Sequence, residues 1–245
     1  MAFLGNMLPR EVRDAQQRNV PLVMAGGTVE FHGSHCAYGC DTLIVEGLLR
    51  RLDREKELII APSVWYSPAS YAVAGRKSGT VHVEEAAFEQ YLYYVFYSLL
   101  MSGWHNIYVV IHHQFEQESL MPMTLAYMAA AKRATMRVLD ETRGEGWWGD
   151  EKSREYYDTL ASADNPFGWI KILPAMSTDA QNATGYDHAG KYESSLLMAL
   201  YPDTVRLDRL NEEKYWFTES AAEANVALGE EMIAASLADL RKRIR

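Results

Sequence analysis

Short apolar runs alternate along the chain with longer segments in which apolar residues recur every three or four positions. The short runs are typical of buried strands in a parallel sheet, and the longer segments are typical of amphipathic helices. We predict strands over residues 20–25, 58–62, 79–83, 107–111, 135–139 and 170–174. We predict helices over residues 9–18, 42–52, 84–102, 118–132 and 192–200, with a further long helix closing the segment 211–245.

This alternation predicts an α/β fold, a three-layer α/β/α arrangement around a mostly parallel sheet. We expect a single domain over residues 1–245, because that length suffices for one large core. Residues 140–169 are charged and aromatic without a clear period, so we expect an irregular insertion there. Residues 177–190 are predicted to form a loop.

Charge and composition narrow the range of partners. A net charge of −9 argues against a nucleic-acid ligand, since proteins that bind nucleic acid usually present a basic face. No apolar run approaches the roughly 18 residues that span a bilayer, and the first residues lack a signal-peptide pattern. We therefore expect a cytoplasmic protein that binds no membrane. Cys36 and Cys40 are too few for a disulfide framework, and we expect them to be small pocket-wall residues.

Candidate chemistry is concentrated in residues 26–42, directly after the first predicted strand. Glu30 and His32 are two residues apart, so an extended backbone points both side chains the same way. Asp41 lies where this stretch turns into a helix. Two carboxylates and an imidazole around one strand end suit a borderline cation such as zinc, manganese or iron.

Three polar segments that follow apolar runs each combine histidine with carboxylate. Their histidines are His32, His35, His112, His113 and His188. Their carboxylates are Glu30 and Asp41, then Glu116, then Asp187 and Glu193. Because sites in parallel sheets collect beyond the carboxyl ends of the strands, the three segments predict a metal site. The alternative from the residues alone is a polar rim around another kind of small-molecule pocket.

The order of several motifs resembles that of the creatininase family of metal-dependent amidohydrolases. The first is Gly-Thr-Val-Glu-Phe-His-Gly-Ser-His at 27–35, followed by Gly-Cys-Asp-Thr at 39–42. Ser-Gly-Thr at 78–80 looks like the family's Pro-Gly-Thr turn. His-Ala-Gly-Lys-Tyr-Glu-Ser-Ser at 188–195 is similar to its His-Ala-Gly-Glu-x-Glu-Thr-Ser motif. The resemblance covers roughly residues 20–210.

The resemblance implies two divalent metals per chain (zinc, manganese or iron) that share Asp41 as a bridge. It implies Glu30, His32 and a residue from 112–116 as further ligands. It also implies that metal-bound hydroxide attacks a substrate carbonyl. His188 would act as the acid/base, and Glu193 would either orient the water or complete the metal shell. Family members often form hexamers, so we expect a homo-oligomer.

The third segment, His-His-Gln-Phe-Glu-Gln at 112–117, departs from the family's pattern. An ungapped count from Gly103 makes His113 the metal ligand. A match of Glu116 to the glutamate of creatininase would instead place Gln114 there, and glutamine is a poor ligand beside imidazole. We favour His113. Glu116 is then a supporting group, a ligand of the second metal, or a further catalytic residue.

We expect a hydrolase that opens a small polar cyclic substrate. The bond cleaved is either a cyclic amide C–N bond or a ring C–C bond of a keto-inositol such as 3-dehydro-scyllo-inosose, and the altered third segment argues against creatinine itself. The alternatives are a deformylase or peptidase of the same family, and a relative that binds a metal or ligand without the chemistry. We expect His35, His112, Gln114 and Trp148 to line the substrate pocket. For His35 a supporting hydrogen bond, and for Trp148 a subunit contact, are the alternatives.

Overall fold

A computed structural model describes residues 2–115, 121–159 and 165–245. Within these residues lies a five-stranded sheet whose strands all pair in parallel. The strands are β1 (Ala2–Phe3), β2 (Leu22–Gly26), β3 (Ile59–Ile60), β4 (Ile107–Ile111) and β5 (Ile170–Pro174). Their spatial order is β1-β3-β2-β4-β5, which places β2 and β4 side by side near the centre.

Helices cover both faces of this sheet. In the described part of the chain they are α1 (Pro9–Gln17), α2 (Cys40–Leu52), α3 (Glu85–Met101), α4 (Pro122–Arg143), α5 (Thr178–Thr184), α6 (Lys191–Leu200) and α7 (Val226–Arg243). Side chains alternate along each strand, so successive residues enter different cores. Val23 and Ala25 pack with α2, α6 and α7. Leu22 and Met24 pack with α1, α3 and α4. The predicted three-layer α/β/α fold is thus confirmed.

Two of the predicted strands are wrong. Residues 135–139 continue helix α4, because Ala131, Thr135 and Leu139 recur at four-residue spacing and are all buried on one helix face. Residues 79–83 form isolated bridges instead of a strand. Val81 pairs with Val29, and His82 pairs with Ser67.

Two elements of the structure were not predicted from the sequence. Strand β1 is two residues long and carries no local signal. Helix α5 lies inside the predicted loop 177–190, and the side chain of Ser177 caps it by accepting a hydrogen bond from the Ala180 N–H at 3.3 Å. The helix predicted over 118–132 is observed as the longer α4.

Residues 144–159 and 165–169 consist mainly of short turns of 3-10 helix. These are Trp147–Gly149, Glu151–Ser153, Tyr156–Thr159 and Pro166–Gly168. Among the described helices, none is both long enough and apolar enough to cross a bilayer.

Candidate metal centre

The residues of the candidate site gather where β2 and β4 end. Gly27 follows β2 and lies against the start of α2, so closely that a Cβ there would be 2.6 Å from the backbone nitrogen of Thr42. This close approach brings the first turn of α2, and with it Asp41, to the strand end. The backbone N–H of Glu30 donates to the Tyr38 carbonyl oxygen at 2.9 Å, which fixes the loop between them.

His32 is oriented by the backbone of its own loop. Its Nδ1 donates a hydrogen bond to the carbonyl oxygen of Glu30 at 3.0 Å. Its Nε2 therefore points to two carboxylates and lies 3.7 Å from Asp41 Oδ1 and 3.5 Å from Glu193 Oε2. Histidines that bind metals commonly donate their other N–H to a carbonyl oxygen in this way.

His113 forms a first group with Glu30 and Asp41. It follows β4, and because β4 is the neighbour of β2 its ring reaches the loop that carries Glu30. Its Nδ1 lies 3.2 Å from Glu30 Oε2 and 3.5 Å from Asp41 Oδ2. All three residues are buried, and their ligand atoms lie within 4.8 Å of one another. One cation can be reached by all three.

Glu193, in the first turn of α6, forms a second group with Asp41 and His112. Its Oε1 lies 2.8 Å from His112 Nε2, and its Oε2 accepts a hydrogen bond from the Ala189 N–H at 2.7 Å. The backbone N–H of Glu193 donates to Asp187 Oδ1 at 3.1 Å, so Asp187 holds the start of α6. The ligand atoms of this second group also lie within 4.8 Å of one another.

Three buried carboxylates, on Glu30, Asp41 and Glu193, dominate the charge of the cluster. Burial opposes a charge on His32, but these carboxylates override it and raise the pKa of His32 to about 10. Burial is likewise overridden at His113, where contacts with Asp41 and Glu30 raise the pKa to about 10. The protons on these two imidazoles supply positive charge that the carboxylates require.

The carboxylate of Glu193 is held in its charged form. Burial opposes that charge, but the contact with His112 and the positive charge of His32 lower the pKa of Glu193 to about 2. Burial also opposes the charge of Asp41, and His32 and His113 hold the pKa of Asp41 well below its usual range. Both groups are therefore anionic throughout the neutral pH range.

Contacts within the cluster leave several buried atoms without a well-formed hydrogen bond to any described residue. They are Glu30 Oε2, His32 Nε2, Asp41 Oδ2 and His113 Nε2. An unsatisfied buried polar group costs about 1–3 kcal/mol. Imidazole nitrogen and carboxylate oxygen are the donors that zinc takes, and they also suit manganese and iron. The residues present therefore fit divalent cations, as the sequence led us to expect.

His188 lies beside this cluster on the loop before α6. Its ring packs against that of His32 at a centroid distance of 4.3 Å and against that of Phe217 at 5.3 Å. Its Nε2 donates a hydrogen bond to the carbonyl oxygen of Phe31 at 3.1 Å. Because the proton of the neutral ring is then on Nε2, Nδ1 is the nitrogen that can accept a proton.

The other predicted pocket residues lie in different surroundings. His35 is buried, and its Nε2 lies 3.0 Å from the Ser194 hydroxyl. This contact is of the kind expected if His35 makes a supporting hydrogen bond instead of lining the substrate pocket. The side-chain oxygen of Gln114 accepts a hydrogen bond from the Met123 N–H at 3.0 Å, at the start of α4. Trp148 is 51% exposed and its ring contacts Tyr156 and Tyr157. A role of these residues in substrate binding stays a prediction.

Glu116 lies outside the described residues, so its predicted role stays a prediction too. Cys36 and Cys40 are buried in the core layer beneath the cluster. Burial raises the pKa of the Cys36 thiol to about 12 and that of Cys40 well above its usual value. Cys40 nevertheless lies close to the cluster, since its Sγ and the ligand atoms of His32 and Glu193 lie within 4.8 Å of one another.

The fold and the cluster define an α/β protein with a candidate centre for divalent metals. The profile of the creatininase family, described as creatinine amidohydrolase, matches residues 6–241. The chain belongs to the creatininase family. This confirms the resemblance carried by the motifs, and with it the expected class of enzyme, a metal-dependent hydrolase.

Solved structures of creatininases share this fold. A crystal structure of creatinine amidohydrolase is 14% identical, with 99% of this chain and 98% of that chain covered and a TM-score of 0.72. A manganese form of creatininase is 15% identical, with the same coverage and a TM-score of 0.73. A zinc–zinc form of a creatininase variant is 16% identical, again with 99% and 98% coverage and a TM-score of 0.72. No curated protein matches the sequence.

Proposed function

We propose that this protein is a metal-dependent hydrolase that opens a small polar cyclic substrate at a carbonyl group. The observation that carries the proposal is the convergence of three buried carboxylates with imidazoles at the ends of β2 and β4. Membership of the creatininase family supports the same class. The zinc–zinc and manganese forms of creatininase support divalent metals as the cofactor.

We place two cations at positions that share Asp41. Glu30, Asp41 and His113 would hold one of them, and His32, Asp41 and Glu193 would hold the other. Divalent cations in such a site supply the charge that polarises a carbonyl and lowers the pKa of water. Asp41 is suited to the shared position because each of its oxygens faces a different imidazole.

His188 is the proposed carrier of a proton to the leaving group. Its Nε2–H is engaged with the Phe31 carbonyl oxygen, so Nδ1 takes and returns the proton. The packing of its ring on His32 keeps the ring beside the cation positions, and one of its nitrogens lies within 4.8 Å of ligand atoms of Glu30 and His32. Glu193 is assigned to holding the cation, because both of its oxygens are fixed by neighbours.

The proposed substrates are cyclic amides and keto-inositols. Each offers a carbonyl, and in each the departing atom, nitrogen or stabilised carbon, needs a proton that His188 can return. A cavity of about 30 Å³ beside Glu193 has room for one hydroxyl group or one water, and its polar lining includes His112, Gln181 and Tyr186. Its polar side chains would receive a single hydroxyl group of such a ring.

Mass spectrometry of reaction mixtures tests this function. Protein stripped with a chelator and reloaded with zinc or manganese is incubated with cyclic amides, formamides, short peptides and keto-inositols. We expect a gain of one water on a cyclic substrate with loaded protein and none with stripped protein or with Asp41→Asn. Protein that holds its metals but hydrolyses none of these would instead be the non-hydrolytic relative.

The homo-oligomer is a separate proposal, supported by the family resemblance. Size-exclusion chromatography with light scattering tests it. A mass that is a multiple of 27.8 kDa is expected, and a monomeric mass at all concentrations contradicts it.

A further inference from the structure

We propose that His112 is itself a ligand of the second cation, so that this position binds through two imidazoles, those of His32 and His112. The inference rests on the proposed function, because it requires the cations to be present. It goes beyond the motifs, which give His112 no place among the ligands.

The first support is the direction of the two neighbouring rings after β4. His113 faces Glu30 and Asp41, whereas His112 faces Glu193 on α6. His112 Nε2 is 2.8 Å from Glu193 Oε1, and the ligand atoms of Asp41, His112 and Glu193 lie within 4.8 Å of one another. Ligand atoms around a tetrahedral zinc, with bonds of about 2.0–2.2 Å, lie about 3.3 Å apart. Small side-chain movements therefore bring all three onto one ion.

The second support is an unsatisfied atom beside the same carboxylate. His32 Nε2 is buried and lacks a well-formed hydrogen bond to any described residue. His32 Nε2 is also 3.5 Å from Glu193 Oε2. If His32 joins Asp41, His112 and Glu193 on this ion, the donors number four, the number that a tetrahedral zinc takes.

The test is zinc binding by wild type and by His112→Gln, with His105→Gln as the matched control. Glutamine still offers an N–H to Glu193, so the variant removes the ligand and keeps the hydrogen bond. His105 lies away from the cluster and packs on Trp169. Stripped proteins are titrated with zinc by calorimetry, and the bound metal is counted by elemental analysis.

Wild type and H105Q are expected to bind two zinc ions per chain. H112Q is expected to keep the ion at Glu30, Asp41 and His113, which also shows that the variant is folded. We expect the second ion to bind H112Q at least about 100-fold more weakly than it binds wild type. The loss of a group that only supports a ligand lowers metal affinity by about 10–100-fold, so a larger loss indicates a direct ligand. If H112Q binds both ions with unchanged affinity, the proposed role of His112 is overturned while the proposed function stands. A wild type that binds no zinc overturns the proposed function as well.

Cadmium-loaded wild type gives a second measurement that does not depend on the variant's stability. With histidine nitrogens labelled, NMR shows scalar coupling between bound cadmium and each coordinating ring. Three coupled rings are expected, from His32, His112 and His113. Coupling that is seen for His32 and His113 but is missing for His112 contradicts the inference.

Discussion

Zinc binding to the metal-free protein is expected to release about two protons per chain at a pH of about 8. The pKa values of His32 and His113 are both raised to about 10, from an ordinary 6.5. At a pH of about 8, a group with a pKa of about 10 is about 99% protonated, and one with a pKa of about 6.5 is about 3% protonated. Zinc takes the neutral imidazole, so each of these two ligands must lose its proton.

Calorimetric titrations in two buffers of equal pH but different ionisation enthalpy measure this release. Because both pKa values are raised, the imidazoles of His32 and His113 carry these protons at any pH below about 10. The proton release therefore persists across the neutral range and disappears at higher pH. Water acidified by the bound ions can add up to about one further proton. A release of one proton or fewer would refute the argument, because it would mean that His32 and His113 are not both charged beside the carboxylates.

Asp41→Ala is expected to remove both cations together, because Asp41 belongs to both ligand groups, and full zinc content by elemental analysis would contradict the shared position. His188→Ala is expected to keep the metals and lower kcat by about 10²–10⁴-fold, the range of general acid–base catalysis; unchanged turnover would rule out that role. Cys36 and Cys40 are expected to react with a thiol reagent only after denaturation, since burial raises the pKa of both thiols. Labelling of the native chain near neutral pH would show that the thiols are accessible.

The central strands were predictable because buried parallel strands are continuous apolar runs. The ranges 107–111 and 170–174 match β4 and β5, and 20–25 overlaps β2. The segment 135–139 was predicted as a strand because Thr135 and Val138 are β-branched. Such residues favour strands but also occur on buried helix faces, as they do here in α4. Helix α5 did have a signal in the capping residue Ser177 and in Gly185 just past its end.

The residue types of the candidate cluster were predictable, but their grouping was not. The spacing of Glu30 and His32 indicated a shared direction, and both do reach the cluster. The choice between His113 and Gln114 depended on which side chain crosses to β2, and His113 is the one that contacts Glu30 and Asp41. The Ala189 N–H and the Phe31 carbonyl oxygen belong to the backbone. Their roles follow from tertiary structure, which no local pattern encodes.

Anomalous diffraction at the zinc and manganese edges, from crystals grown without chelator, tests the central claim most directly. The account predicts two peaks per chain. One lies among Glu30, Asp41 and His113, and the other lies among Asp41, Glu193 and the imidazole of His32. A map with no anomalous peak within bonding distance of Asp41 would contradict it.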